Sequence, residues 1–131
     1  MIKRALISVW NKEGVIKLSK FLQENNIEIL STGGTKKVLQ ESGVKVKSVS
    51  EITGNGSVMD GRVKTLDPKI FGGILADRNK PSHIKDLLAI NGCEIDLVVV
   101  NFYPFVNEAV KKKLTLDKAI EFIDIGGPSM I

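Results

Sequence analysis

The sequence is poor in the side chains that build metal centres and covalent staples. It has one cysteine, Cys93, and one histidine, His83, in 131 residues. A lone cysteine closes no internal disulfide, and one imidazole beside it leaves too few soft ligands for a zinc site. No metal site is therefore expected. Aromatics are scarce too, at five Phe, one Tyr and one Trp. The basic surface interleaved with stacking rings that nucleic acid binding uses is not visible, so no nucleic-acid partner is expected. Long apolar runs are missing. The densest, Ile95 to Val100, is interrupted by Asp96 and falls far short of a bilayer span, so no membrane partner is expected. Lys3 and Arg4 are followed by no long apolar region, which argues against a secretory signal and makes the cytoplasm the expected compartment.

What is present describes an ordinary globular chain. Hydrophobic residues make up 43% and charged residues 26%. The formal net charge is only +4, with a sequence pI near 9.2. So modest an excess, spread along the chain, suits a small anionic ligand. The length fits one domain with one main core, read as residues 1–131.

Apolar spacing then sets the elements. Ala5 to Val9 reads as a first strand, and Val15 to Asn25 as a helix whose apolar face recurs every three to four residues. Ile27 to Leu30 is a second strand. Lys36 to Ser42 is a helix closed by Gly43, and Val44 to Val49 is a third strand near a sheet edge. Ser50 to Gly61 reads as a loop of about a dozen residues. Helices are expected over Lys69–Ala76, His83–Ile90, Glu108–Lys113 and Leu116–Ile123, and a last one opening after Asp124. Ile95 to Asn101, almost continuously β-branched, reads as a central parallel strand covered on both faces. The alternation predicts a three-layer α/β domain with helices on both faces of a mainly parallel sheet. Ligands of such sheets bind beyond the carboxyl ends of the strands.

Chemistry-bearing residues cluster at those ends. Ser31-Thr-Gly-Gly-Thr35 lies between a strand and a helix, where hydroxyls and free N–H groups favour a phosphate; the same residues also fit a plain turn with Thr35 as cap. Asn11 and Lys12 follow the first strand, and Lys12 there is either a second charge for the same anion or a solvated lysine. Gly61-Arg-Val-Lys-Thr65 brings a guanidinium, an ammonium and a hydroxyl together, as a ligand grip or as a solvated basic loop. Asn101-Phe-Tyr-Pro104 offers an amide and a phenol, or an aromatic plug at a strand end. Asp124-Ile-Gly-Gly127 offers a carboxylate, or simply a helix cap.

Taken together and in this order, the four motifs resemble the inosine monophosphate cyclohydrolase domain of the methylglyoxal synthase-like superfamily. That domain is the N-terminal part of a bifunctional purine-synthesis protein with a formyltransferase domain. The similarity runs over essentially the whole chain, and Arg62-Val-Lys-Thr-Leu66 and Asp124-Ile-Gly-Gly127 are its most specific parts. It implies a sheet of about five parallel strands. It also implies closure of the second purine ring of formylated aminoimidazole carboxamide ribotide with loss of water, without a cofactor. A homodimer and a downstream formyltransferase domain are expected partners. By this resemblance Lys12, Thr32, Gly33, Gly34 and Thr35 would hold the phosphate, bordered by Trp10 and Asn11. Arg62, Val63, Thr65, Ile125 and Gly126 would line the substrate, and Asn101 would hydrogen-bond its base region. Lys64 would stabilise developing negative charge, with Tyr103 and Asp124 at the reacting end and Asp124 assisting proton transfer.

The sequence departs from the family pattern at Asp67 and Phe71, where the family usually carries histidines, and in Gly54 to Val58, which lacks the usual Phe-Pro-Glu character. Asp67 is expected to lower the positive potential near Lys64. The chain also ends at Ile131, before the family's downstream catalytic lysine, so the domain is expected to be C-terminally truncated. Two other readings remain. A methylglyoxal synthase would need a histidine near the phosphate, and a non-catalytic nucleotide-binding regulatory module would need only the loop.

Overall fold

The computed structural model describes residues 1–131. Its centre is β1, Arg4–Ser8, whose Ala5, Leu6 and Ile7 are wholly buried. Successive strand side chains face opposite ways, so Ala5 and Ile7 enter one core and Leu6 the other. β1 pairs in parallel with β2, Glu28–Ser31, on one side and with β4, Leu97–Val100, on the other. β2 also pairs with the short β3, Lys47–Ser48, giving the order β3-β2-β1-β4.

Parallel neighbours need crossovers, and helices supply them. α1, Val15–Glu24, and α2, Gly33–Glu41, join the first three strands. α3, Val49–Thr53, α4, Pro68–Leu75, and α5, Pro81–Ala89, lead to β4. A π-helical turn at Val106–Val110, α6, Leu116–Ile120, and α7, Gly126–Ser129, complete the chain. On one face of the sheet, Val15 and Leu22 of α1 and Leu39 of α2 pack on Ile7 and Ile29. On the other, Val49 of α3, Ile70 of α4 and Met130 pack on Leu6 and Leu30. The domain is a three-layer α/β fold.

Several expectations change. The sheet has four strands rather than five, and β4 is an edge strand rather than a central one. Its side chains are half-buried, with Leu97 and Val99 against one core and Val98 and Val100 against the other. An unbroken apolar run therefore reports two covered faces and says nothing about how many neighbours a strand has. The third strand shrinks because Val49 already begins α3, and the Ser48 N–H donates to the Glu51 carboxylate at 2.7 Å. The supposed loop after it thus opens with a helix, whose Ser-x-x-Glu start is a capping spacing. Residues 108–113 carry the π-helical turn's last part and turns, and α6 stops at Ile120.

Candidate functional site

A parallel sheet brings the loops after β1, β2 and β4 to one edge, and a cavity of about 560 Å³ opens there. Trp10 and Lys12 line it from the β1–α1 loop, and Thr32, Gly34 and Thr35 from the start of α2. Arg62, Lys64 and Thr65 face them from the long connection before α4. Asn101 and Tyr103 enter from the end of β4, and Asp124, Ile125 and Gly126 close the ring. Asn11, Gly33 and Val63 do not line it. Gly33 borders an adjoining cavity of about 350 Å³ with no apolar wall, and Val63 forms a bridge with Val58. Ser8, Asp60 and Glu121 line the cavity without having been singled out. Ser8 had a signal, a hydroxyl at the carboxyl end of a central strand; Glu121 had none.

The α2 end of the cavity has the makings of an anion site. Thr32 occupies the N-cap position but makes no capping hydrogen bond, and Gly33 begins the helix with φ +55°. The first-turn N–H groups lack intrahelical acceptors, and the helix dipole adds positive potential. Thr35 acts differently from its neighbour. Its buried hydroxyl donates to the Val9 carbonyl at 2.9 Å and accepts from the Val9 N–H at 3.2 Å, tying α2 to the end of β1. Lys12 folds its ammonium onto the carbonyls of Val9 and Trp10. Burial lowers its pKa, and the charge of Lys64 lowers it further. Two cations crowded in this way favour a shared anion.

The opposite wall is set by close packing. A Cβ on Gly33 would meet the Lys64 Nζ at 3.0 Å, and one on Gly61 its Cε at 3.0 Å, so the lysine runs between two glycines. The Asp124 Oδ1 accepts from the Gly127 N–H at 3.1 Å, so this carboxylate also steadies the start of α7. Tyr103 lies between Trp10 and Phe122, with ring centroids 6.5 and 6.0 Å away. Arg62 pairs with Glu121 across the opening.

Of the departures from the family pattern, Asn55, Gly56 and Ser57 line the adjoining cavity, whereas Asp67 and Phe71 line neither. Asp67 accepts the Lys69 N–H at 2.8 Å and caps α4 ahead of Pro68. Phe71 packs against the second core. His83, the only imidazole, accepts the Asp77 N–H at 3.1 Å and lines neither cavity. The methylglyoxal synthase reading therefore has no histidine at the site.

Residues 14–129 match the MGS-like domain family. The chain is an MGS-like domain. It is 56% identical over all its 131 residues to the bifunctional purine biosynthesis protein PurH of Clostridium acetobutylicum, and 55% identical to that of Clostridium botulinum. It spans 26% of the length of each. Among solved structures, the crystal structure of ForH superposes with a TM-score of 0.82 at 28% identity, over 98% of this chain and 64% of that one. No helix of this MGS-like domain is long and apolar enough to cross a membrane.

Proposed function

We propose that this MGS-like domain binds a purine ribotide and closes its second ring. The carboxamide nitrogen of formylated aminoimidazole carboxamide ribotide attacks the formyl carbon, and water leaves to give inosine monophosphate. The observation that carries this reading is one cavity joining an uncapped helix start and Lys12 to Lys64, Tyr103 and Asp124. The similarity to PurH proteins, purine biosynthesis proteins by name, supports the same substrate class.

The chemistry follows from positioning and charge. A flexible amide must be held against a formyl group, and fixing both converts an encounter into an intramolecular step. As the C–N bond forms, the formyl oxygen gains negative charge, which the Lys64 ammonium stabilises. Asp124 takes the proton released from nitrogen. Asp124 returns that proton to the formyl oxygen, and the hydroxyl so formed leaves as water with the proton of the formamide nitrogen, so that Asp124 ends ionised as it began. Thr32, the first-turn N–H groups and Lys12 hold the 5′-phosphate, and Tyr103 and Trp10 form the aromatic wall.

Titration with inosine monophosphate, read by calorimetry, tests the binding half. Binding is expected, and Lys12→Ala and Lys64→Ala should each weaken it about tenfold or more. Absence of binding to the unaltered chain sinks the reading. Ring closure is measured on this chain and on a version extended past Ile131. Turnover by either supports the cyclohydrolase reaction, and turnover by neither removes it.

A further inference from the structure

We infer that Asn101 is a positioning residue that holds the β1–α1 loop in the shape that carries Lys12 to the anion. Its ligand test rests on the ribotide reading above. The ladder between β1 and β4 ends at the pair Ser8–Val100. Beyond it the backbones part, and the Asn101 side chain takes over. Its Oδ1 accepts from the Trp10 N–H at 2.6 Å and the Asn11 N–H at 2.9 Å, and its Nδ2 donates to the Asn11 carbonyl at 2.9 Å. Both lone pairs of the amide oxygen and one of the two N–H groups are thereby engaged. Reversing the amide would set an NH₂ against two N–H donors, so the partners fix its orientation.

The loop is held from the other side as well. Thr35 bonds both backbone groups of Val9. Val9 to Asn11 is thus fastened to α2 by a hydroxyl and to β4 by an amide, and Lys12 folds onto the carbonyls of Val9 and Trp10 between them. A ligand-binding cation carried on a loop is only as well placed as the loop, and losing the amide frees two backbone N–H groups together. This role differs from the base contact that the resemblance implies, because it acts at the phosphate.

Two measurements decide it. Amide hydrogen exchange reads the clamp without any ligand. Asn101→Ala should speed exchange at Trp10 and Asn11 about tenfold or more. Asn101→Asp keeps the oxygen that accepts from both N–H groups and charges it, while setting a second oxygen against the Asn11 carbonyl, and the charge-assisted bonds should retain their protection above the carboxylate pKa. Unchanged protection in the alanine variant overturns the clamp, as does lost protection in the aspartate variant. The aspartate variant also decides the matter if the alanine variant fails to fold.

The second measurement compares inosine monophosphate with ribose 5-phosphate, which lacks the base. Asn101→Ala should weaken both by the same factor, about tenfold. In a Lys12→Ala background it should add less than about twofold, because coupled residues are non-additive. Weakened inosine monophosphate with unchanged ribose 5-phosphate would assign Asn101 to the base and overturn the proposal. If the unaltered chain binds neither ligand, the ribotide reading fails, and amide exchange alone still decides the clamp.

Discussion

Lys64 reaches the cavity through a slot in which a Cβ on either wall would crowd the end of its side chain. Gly33 and Gly61 form it, both in the left-handed region, at φ +55° and +85°. Alanine at either position is strained by about 1–2 kcal/mol and also displaces the flexible end of the lysine. Gly54, at φ +78° with nothing within 4 Å of a Cβ, separates the two effects. We expect Gly33→Ala, Gly61→Ala and Gly54→Ala to lower the melting temperature alike, but only the first two to weaken inosine monophosphate binding, as read by thermal melts and calorimetry. The Arg-x-Lys-Thr spacing made Lys64 visible in the sequence. The slot was not visible, because it depends on two glycines 28 positions apart meeting one side chain. Lys12 leads to a pH prediction. Burial first, then Lys64, holds its pKa below the usual lysine value. An anion binds the protonated form, so affinity is complete below the lowered pKa and falls as pH rises through it. Ribose 5-phosphate, whose phosphate is fully ionised well above about pH 6, should therefore bind more weakly toward alkaline pH. Lys12→Met should flatten that limb, and Lys64→Met should move it to higher pH. An unchanged limb in both variants would remove Lys12 from the anion site.

At the scale of elements, the sequence pattern located helices and strands by what they bury, and it erred where burial did not decide. Ala5 to Val9 was legible as a short β-rich run, and Val15 to Asn25 because its apolar spacing of three to four matches the face it buries. β4 misled because both its faces pack while only one edge pairs. α4 carries two adjacent glycines, Gly72 and Gly73, and only one is replaceable. A Cβ on Gly73 would lie 2.2 Å from the Cys93 carbonyl oxygen, and the Gly73 carbonyl itself accepts the Ile95 N–H at 2.9 Å. The helix therefore touches the backbone leading into β4, which cannot move aside cheaply. On Gly72 the nearest atom is the tip of Leu87, at 3.2 Å. Gly73→Ala should cost about 3 kcal/mol and lower the melting temperature by roughly 10 °C. Gly72→Ala should be near neutral, since the helix-propensity gain of about 1 kcal/mol offsets a small shift of Leu87. Denaturant melts of the two variants check this, and equal costs would refute the backbone contact.

Across the whole molecule, binding groups and stabilising charges occupy opposite poles of the sheet. The carboxyl ends of the strands carry the cavity, and the amino ends carry an ion network. There Arg4 pairs with Glu28, Lys47 lies 3.5 Å from Glu28, and Arg78 lies 2.6 Å from Asp96. The Asp96 carboxylate, 7% exposed, also accepts the N–H groups of Lys3 and Arg4 at 2.7 and 2.8 Å. Burial pushes its pKa up, but those N–H groups and Arg78 outweigh it and hold the carboxyl below its usual range. Burial also acts against the Glu28 carboxylate, and Arg4 and Lys47 overcome it in the same direction. For carboxylates depressed in the folded state, the stabilisation is complete above their unfolded pKa values near 4 and is lost as pH falls through the folded ones. Stability should thus be level above about pH 5 and fall below about pH 4. Asp96→Asn should remove part of that acid slope and lower stability at neutral pH by about 2 kcal/mol, since it replaces charge-assisted hydrogen bonds with weaker ones. Because Asp96 lies at the far end of the strands from the cavity, inosine monophosphate affinity should not change under conditions where the variant remains folded. Urea melts across pH and calorimetry at pH 7 test both halves. A variant with normal stability but weakened binding would show that the two poles are coupled through β1 and β4, against the separation the fold implies.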